Sequence, residues 1–205
     1  MKAPSSQEDA VLGLTRQRGL LRARDATVMN LPTVVITRLV RAGRLRRVGR
    51  GLYALPDAPI SAQHTLAQAA LRAPRGVMCL LTALRVHEIG TQSPFQVWLA
   101  LPPGIIPPRM ESPALRVVRM SGASLTEGIA HIKVDGVSVP VFNAAKTIAD
   151  CFKFRNKIGL DIAIEALREG WRERKVTKVT MDALWRYAEI NRVAKVMRPY
   201  LESLV

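Results

Sequence analysis

The sequence has 205 residues, room for two domains of ordinary size. Hydrophobic residues make up 48%, which supplies real cores and excludes the composition of a disordered chain, while aromatics at 5% leave those cores mostly aliphatic. Thirty-one Lys and Arg against sixteen Asp and Glu give a net charge of +15, the balance of a protein that meets a polyanion.

Glu8 to Arg18 is the first predicted helix, with Ala10, Val11 and Leu14 on one face and Gly19 ending it. Asp25 to Met29 is a short second helix. Leu31-Pro32 opens a third, because proline is tolerated in a first turn, and Gly43 stops it. Leu31, Ile36, Leu39 and Val40 can face a core from that third helix. Leu45 to Val48 and Leu52 to Leu55, around Gly49-Arg50-Gly51, read as a hairpin. Three helices and a hairpin in this order are the layout of a winged helix-turn-helix. The two prolines of Leu55-Pro56-Asp57-Ala58-Pro59 then mark a boundary, giving a DNA-binding domain over 1–57 and a second domain over 58–205.

The second domain mixes types. Ser61 can cap a helix to Ala73, and Leu80 to Ile89 is another. Gln96 to Leu101, Leu115 to Met120, Ile129 to Val134 and Val137 to Val141 read as strands, the last two joined around Asp135-Gly136. Asn143 can cap Ala144 to Phe154, Gly159 precedes Leu160 to Trp171, and Thr180 can cap Met181 to Ile190. A last helix is expected to break at Pro199. The expected fold class is α+β: an N-terminal winged helix-turn-helix followed by a larger mixed α/β domain ending in helices.

Charge is uneven. Residues 1–57 hold eleven Lys and Arg against four acids, so per residue they are more than twice as basic as the rest. Six arginines fall between positions 38 and 50 with no acid among them: Arg38, Arg41, Arg44, Arg46, Arg47 and Arg50. On the third helix, Thr33, Thr37 and Arg38 lie opposite Ile36, Leu39 and Val40. An Arg fork matches guanine O6 and N7, and a threonine offers a hydroxyl and a methyl to base edges. Arg46, Arg47 and Arg50 are expected on the wing, against phosphate or in the minor groove.

Other candidates give less. Lys146 and Asp150, four apart, suggest a surface ion pair on a helix. His64, His87 and His131 show no metal-ligand spacing, and Cys79 and Cys151 read as reduced core thiols. No cofactor, metal or catalytic residue is expected. Trp171 and Trp185 read as packing. No apolar run approaches the ~20 residues of a membrane helix, and the polar start lacks a signal-peptide core. The expectation is a cytoplasmic protein with no membrane partner. Two rival readings are a nucleic-acid-processing enzyme and a basic module that binds RNA or protein. The enzyme needs clustered carboxylates for a metal, and residues 58–140 offer only Glu88, Glu111, Glu127 and Asp135, in no tight motif.

The run Leu39-Val40-Arg41-Ala42-Gly43-Arg44-Leu45-Arg46-Arg47-Val48-Gly49-Arg50-Gly51-Leu52-Tyr53-Ala54-Leu55 resembles the winged-helix signature of the AbiEi antitoxins, partners in type IV toxin–antitoxin systems first associated with abortive phage infection. Cys79 to Ile89 is similar to that family's helix after the linker, and Val141 to Cys151 resembles its AKT-x-x-D-C segment. The resemblance implies a two-domain bacterial repressor. Its N-terminal domain binds repeats in its own promoter; because one module buries little DNA surface, two copies are expected on paired half-sites, as a dimer or cooperatively. Its C-terminal domain counters a nucleotidyltransferase-like toxin without a stable complex.

Overall fold

The computed structural model describes residues 7–49, 51–57, 63–110 and 113–204, and by internal packing divides into two units. One takes the chain to Leu71 together with Lys133–Ser138; the other holds Arg72–Ile132 and Val139–Val205. The expected linker falls partly on residues 58–62, outside the described residues, as does the cap expected at Ser61.

In the first unit, Glu8 and Asp9 sit in the first turn of α1 (Gln7–Arg18) and Arg16 and Arg18 in its last, the arrangement that complements the helix dipole. Val11, Leu12, Leu14 and Thr15 are its buried face, and the Thr15 hydroxyl is satisfied by the Val11 carbonyl at 2.7 Å. There follow β1 (Leu21–Arg22), α2 (Ala23–Val28), α3 (Thr33–Arg41), β2 (Arg46–Gly49), β3 (Leu52–Ala54) and α4 (His64–Arg72). Asn30 adopts a left-handed conformation after α2, and Pro32 is the residue before the first turn of α3. Val11, Leu12, Leu14, Leu21, Ala26, Val35, Ile36, Leu39 and Leu45 form one core. The buried face of α3 is therefore Val35, Ile36 and Leu39; Leu31 and Val40 only flank it.

The expected hairpin forms as β2 paired antiparallel with β3, and a third strand joins it. β1 lies on the other side of β3, in the order β1-β3-β2. Two residues are too few to carry an alternating pattern, so β1 left no periodic trace in the sequence. The β2–β3 register slips between Arg47 and Gly49, making Val48 a bulge; its carbonyl accepts a hydrogen bond from Gln68 Nε2 at 2.8 Å. Residues 133–138 pack on the end of α1. A β-carbon on Gly19 would meet the Asp135 carbonyl oxygen at 2.0 Å, and one on Gly136 the Arg18 carbonyl oxygen at 2.2 Å. Both glycines have positive φ, so each position excludes a side chain twice over.

The second unit holds a five-stranded sheet, order β6-β5-β4-β8-β7, from β4 (Val77–Met78), β5 (Val97–Leu101), β6 (Leu115–Arg119), β7 (Ile129–Val134) and β8 (Val137–Phe142). Pairing is mixed: β4 runs antiparallel to β5 and parallel to β8, and β5 runs parallel to β6. All five residues of β5 are buried, as a strand covered on both faces requires. Asp135 and Gly136, both at positive φ, make the turn between β7 and β8 with the geometry of a primed hairpin turn.

The helices are α5 (Leu80–Val86), α6 (Ala123–Thr126), α7 (Ala144–Lys153), α8 (Arg155–Ile158), α9 (Leu160–Arg172), α10 (Arg174–Thr177), α11 (Met181–Ile190) and α12 (Ala194–Glu202). Asn143 caps α7 by accepting from the Lys146 amide, and Thr180 caps α11 by accepting from the Ala183 amide. α5 is shorter than expected because Glu88 and Gly90 both take positive φ. Pro199 does not break the last helix: α12 runs through it, with Met197 and Leu201 on either side buried in the core. Trp171 and Trp185 pack against that core. None of the described helices is long and apolar enough to cross a membrane.

α7 is the centre of this unit, with every residue from Ala144 to Phe152 buried. Lys146 and Asp150 are therefore not a surface pair: both side chains have 0% exposure. The Lys146 ammonium reaches Asp150 Oδ1 and stands 4.3 Å from the centre of the Phe142 ring. Asn191 Nδ2 donates to the same carboxylate oxygen at 2.7 Å, and Oδ2 is buried without a hydrogen-bond partner. Burial pushes the Asp150 carboxyl above the usual range, partly offset by Lys146 and Asn191. The same burial raises the thiols of Cys79 and Cys151, which are both free and buried.

Candidate nucleic-acid interface

α3 has no acid in its nine residues, TVVITRLVR. Its helical period puts Val35, Ile36 and Leu39 on the core and leaves Thr33, Val34, Thr37, Arg38 and Arg41 exposed within one arc of roughly 140°. The structure thus brings four of the expected residues, Thr33, Thr37, Arg38 and Arg41, onto one face. Thr37 Oγ1 donates to the Thr33 carbonyl at 3.4 Å, which leaves the hydroxyl free to accept. Arg44 follows in the exposed turn after α3.

Arg46 and Arg47 are successive residues of β2, so their side chains leave the sheet on opposite faces. Arg47 is exposed, with Nε on the Gly49 carbonyl at 3.3 Å. Arg46 is half-buried and donates from Nε to the Leu55 carbonyl at 3.3 Å, which ties the start of β2 to the end of the hairpin. Two adjacent wing arginines do not present the same surface. Arg50 lies outside the described residues.

The arginine run has no acid in sequence, but it has one in space. Glu8, at the start of α1, reaches Arg44 Nη1 at 3.2 Å and Arg38 Nη1 at 3.7 Å. Nothing in the sequence announces a contact 36 positions away. A second carboxylate, Asp25, takes Arg22 Nε at 2.8 Å and Arg18 at 3.4 Å.

Val34, 60% exposed, was also missed. It lines a shallow groove of about 450 Å³ with Thr27, Asn30, Leu31, Pro32 and Thr33. The 3.6-residue period alone would have found it, since Val34 shares an arc with Thr37, Arg38 and Arg41 and faces away from Ile36 and Leu39. Of the four carboxylates named for residues 58–140, Glu127 pairs with Arg186 at 2.8 Å and Asp135 with His64 at 2.5 Å, while Glu111 lies outside the described residues. Among the described residues no group of three His, Cys, Asp or Glu side chains converges as metal ligands do.

The family model described as "Transcriptional regulator, AbiEi antitoxin" matches residues 10–56, the stretch from α1 to just past β3. No curated protein matches the chain. Among solved structures, the chain is similar in fold to the RV2827C protein from Mycobacterium tuberculosis, with a TM-score of 0.51 and 16% identity over 94% of this chain and 79% of that one.

Proposed function

We propose, from an N-terminal segment of AbiEi antitoxin regulator type, that this protein is a transcriptional repressor of its own promoter and the antitoxin of a type IV toxin–antitoxin pair. In this reading α1, α2, α3 and the β1-β3-β2 sheet are a winged helix-turn-helix. α3 enters the major groove, and the β2–β3 hairpin is the wing against the backbone.

The observation that carries it is the face of α3: two hydroxyl side chains and two arginines exposed together, with Arg44 in the turn that follows, on a helix whose other side is core. Arg38 and Arg41 supply forks for guanine edges or phosphates, and Thr33 and Thr37 supply hydroxyls. One such module covers little DNA, so specificity comes from two copies on paired half-sites, through a dimer or through cooperative binding. The second unit opposes a nucleotidyltransferase-like toxin without a stable complex, in the cytoplasm.

A gel-shift titration with the DNA upstream of its own gene tests the reading, against random DNA of equal length at two salt concentrations. Preference for the upstream fragment that survives the higher salt supports a repressor. Equal, salt-fragile binding to both overturns it, because counterion release alone then accounts for affinity. Co-expression with a neighbouring nucleotidyltransferase-like gene tests the antitoxin role: rescue of growth without co-purification is the expected pair of results.

A further inference from the structure

We propose that Val34 reads thymine: its isopropyl group packs against the 5-methyl of a thymine in the major groove and makes that base a determinant of operator choice. The inference rests on the winged-helix reading above and adds to it a residue and a base.

Two adjacent valines begin α3, and only one is used by the fold. Val35 is buried in the core, and Val34 is 60% exposed. A β-branched residue on a helix surface loses side-chain freedom and adds no helix propensity, so stability does not explain Val34. It stands within the arc of Thr33, Thr37, Arg38 and Arg41, the middle of the face that meets DNA, and at the rim of a groove that also includes Thr27 and Leu31.

Charge selects the occupant. Val34 shares its exposed arc with Arg38, one turn on, and Arg41, two turns on, a setting that suits a polyanion carrying an apolar group. An ordinary hydrophobic protein patch would add no counter-charge to this face beyond Glu8, which reaches Arg38 at 3.7 Å. On the major-groove edge of DNA the apolar group is the thymine 5-methyl; the remaining edge atoms are hydrogen-bond donors and acceptors. Thr37, one turn along, is exposed on the same arc and bounds the contact.

Uracil in place of thymine removes that methyl and leaves the pairing edge intact. The experiment uses the full chain on the upstream fragment, with thymines replaced by deoxyuridine one at a time, for the natural protein and for Val34→Ala. The natural protein is expected to lose roughly 3- to 10-fold in affinity at one position per half-site, the scale of one buried methyl contact. Val34→Ala is expected to lose a similar factor on thymine DNA and to show no difference between thymine and uracil there. Thermal unfolding of Val34→Ala, unchanged for so exposed a site, separates contact loss from misfolding. Operator preference over random DNA with no uracil-sensitive position overturns the inference and leaves the repressor reading standing. So does a Val34→Ala loss that is equal on both DNAs, which would mark the groove as a surface for another partner. Absence of any operator preference overturns both.

Discussion

Asp150 is held by a lysine and an asparagine on one oxygen, and both charged side chains are fully buried. Removing one partner of such a pair strands the other charge in a low-dielectric interior, which costs ~3–5 kcal/mol, whereas replacing both with apolar residues is often neutral. Lys146→Ala and Asp150→Ala are each expected to lower the urea midpoint sharply, and Lys146→Met with Asp150→Leu to recover most of the loss. A double variant no better than the worse single one would show that the network does more than neutralise itself. Spacing alone did not distinguish this pair from a surface one, because four residues apart is the same on either side of a helix. The flanks held the answer: Ala144, Ala145, Ile148, Ala149, Cys151 and Phe152 make α7 apolar all round, the mark of a buried helix. Glu8 makes the opposite case, since no local pattern predicts its pairing with Arg38 and Arg44. In the proposed reading its carboxylate competes with DNA phosphate for two arginines, so Glu8→Gln is expected to raise DNA affinity, more at low salt than at high. Unchanged affinity in a titration at both salts would mean that those arginines do not reach DNA.

Whole elements were legible wherever they were long enough to repeat. α1, α7, α9 and α11 each show two or more turns of apolar periodicity, and the Asp135-Gly136 turn announces its hairpin by residue type alone. β1 and β4 have two residues each and take their identity from partners far along the chain, β3 for the one and β5 and β8 for the other. The faces of α3 follow the same logic: the 3.6-residue period sets Ile36 and Leu39 on the core and Val34 on the opposite arc. At the β7–β8 turn, Gly136→Ala is expected to destabilise by more than the ~1 kcal/mol of an ordinary Gly→Ala strain, because the added carbon meets the Arg18 carbonyl. A thermal melt unchanged by this substitution would show that the turn separates from α1 at little cost. α5 is joined to β8 through His87, whose Nε2 donates to the Phe142 carbonyl at 2.7 Å. Burial holds this imidazole below its ordinary 6.5, more than the hydrogen bond raises it. The unfolded chain therefore binds the extra proton first, so the contribution is fully present above 6.5 and is lost as pH falls through the folded value. His87→Gln should flatten stability between pH 7 and 5; a pH profile parallel to that of the natural protein would assign the acid sensitivity elsewhere.

For the molecule as a whole, in the proposed repressor reading the net charge of +15 drives association with DNA, and its local arrangement sets the number of phosphates met. Arg44→Ala and Arg47→Ala, both exposed, are each expected to weaken binding on every sequence and to reduce the salt slope by about one. A slope unchanged by either would place that residue off the backbone.

Because Lys133–Ser138 belongs to the first unit, that unit is not one stretch of the gene. Synthesis delivers α1 early and the Asp135-Gly136 turn that packs on its end only after much of the second unit's sequence has been made. At ~5–20 residues per second the delay is a matter of seconds. During that time a nascent chain carries the arginine-rich helix without the closing contact at Gly19. A shortened transcript ending before codon 133 would encode the helix thought to read DNA, but not the piece that completes its unit. Truncations that end between Arg72 and Lys133 are thus predicted to impair the first unit as well as the second.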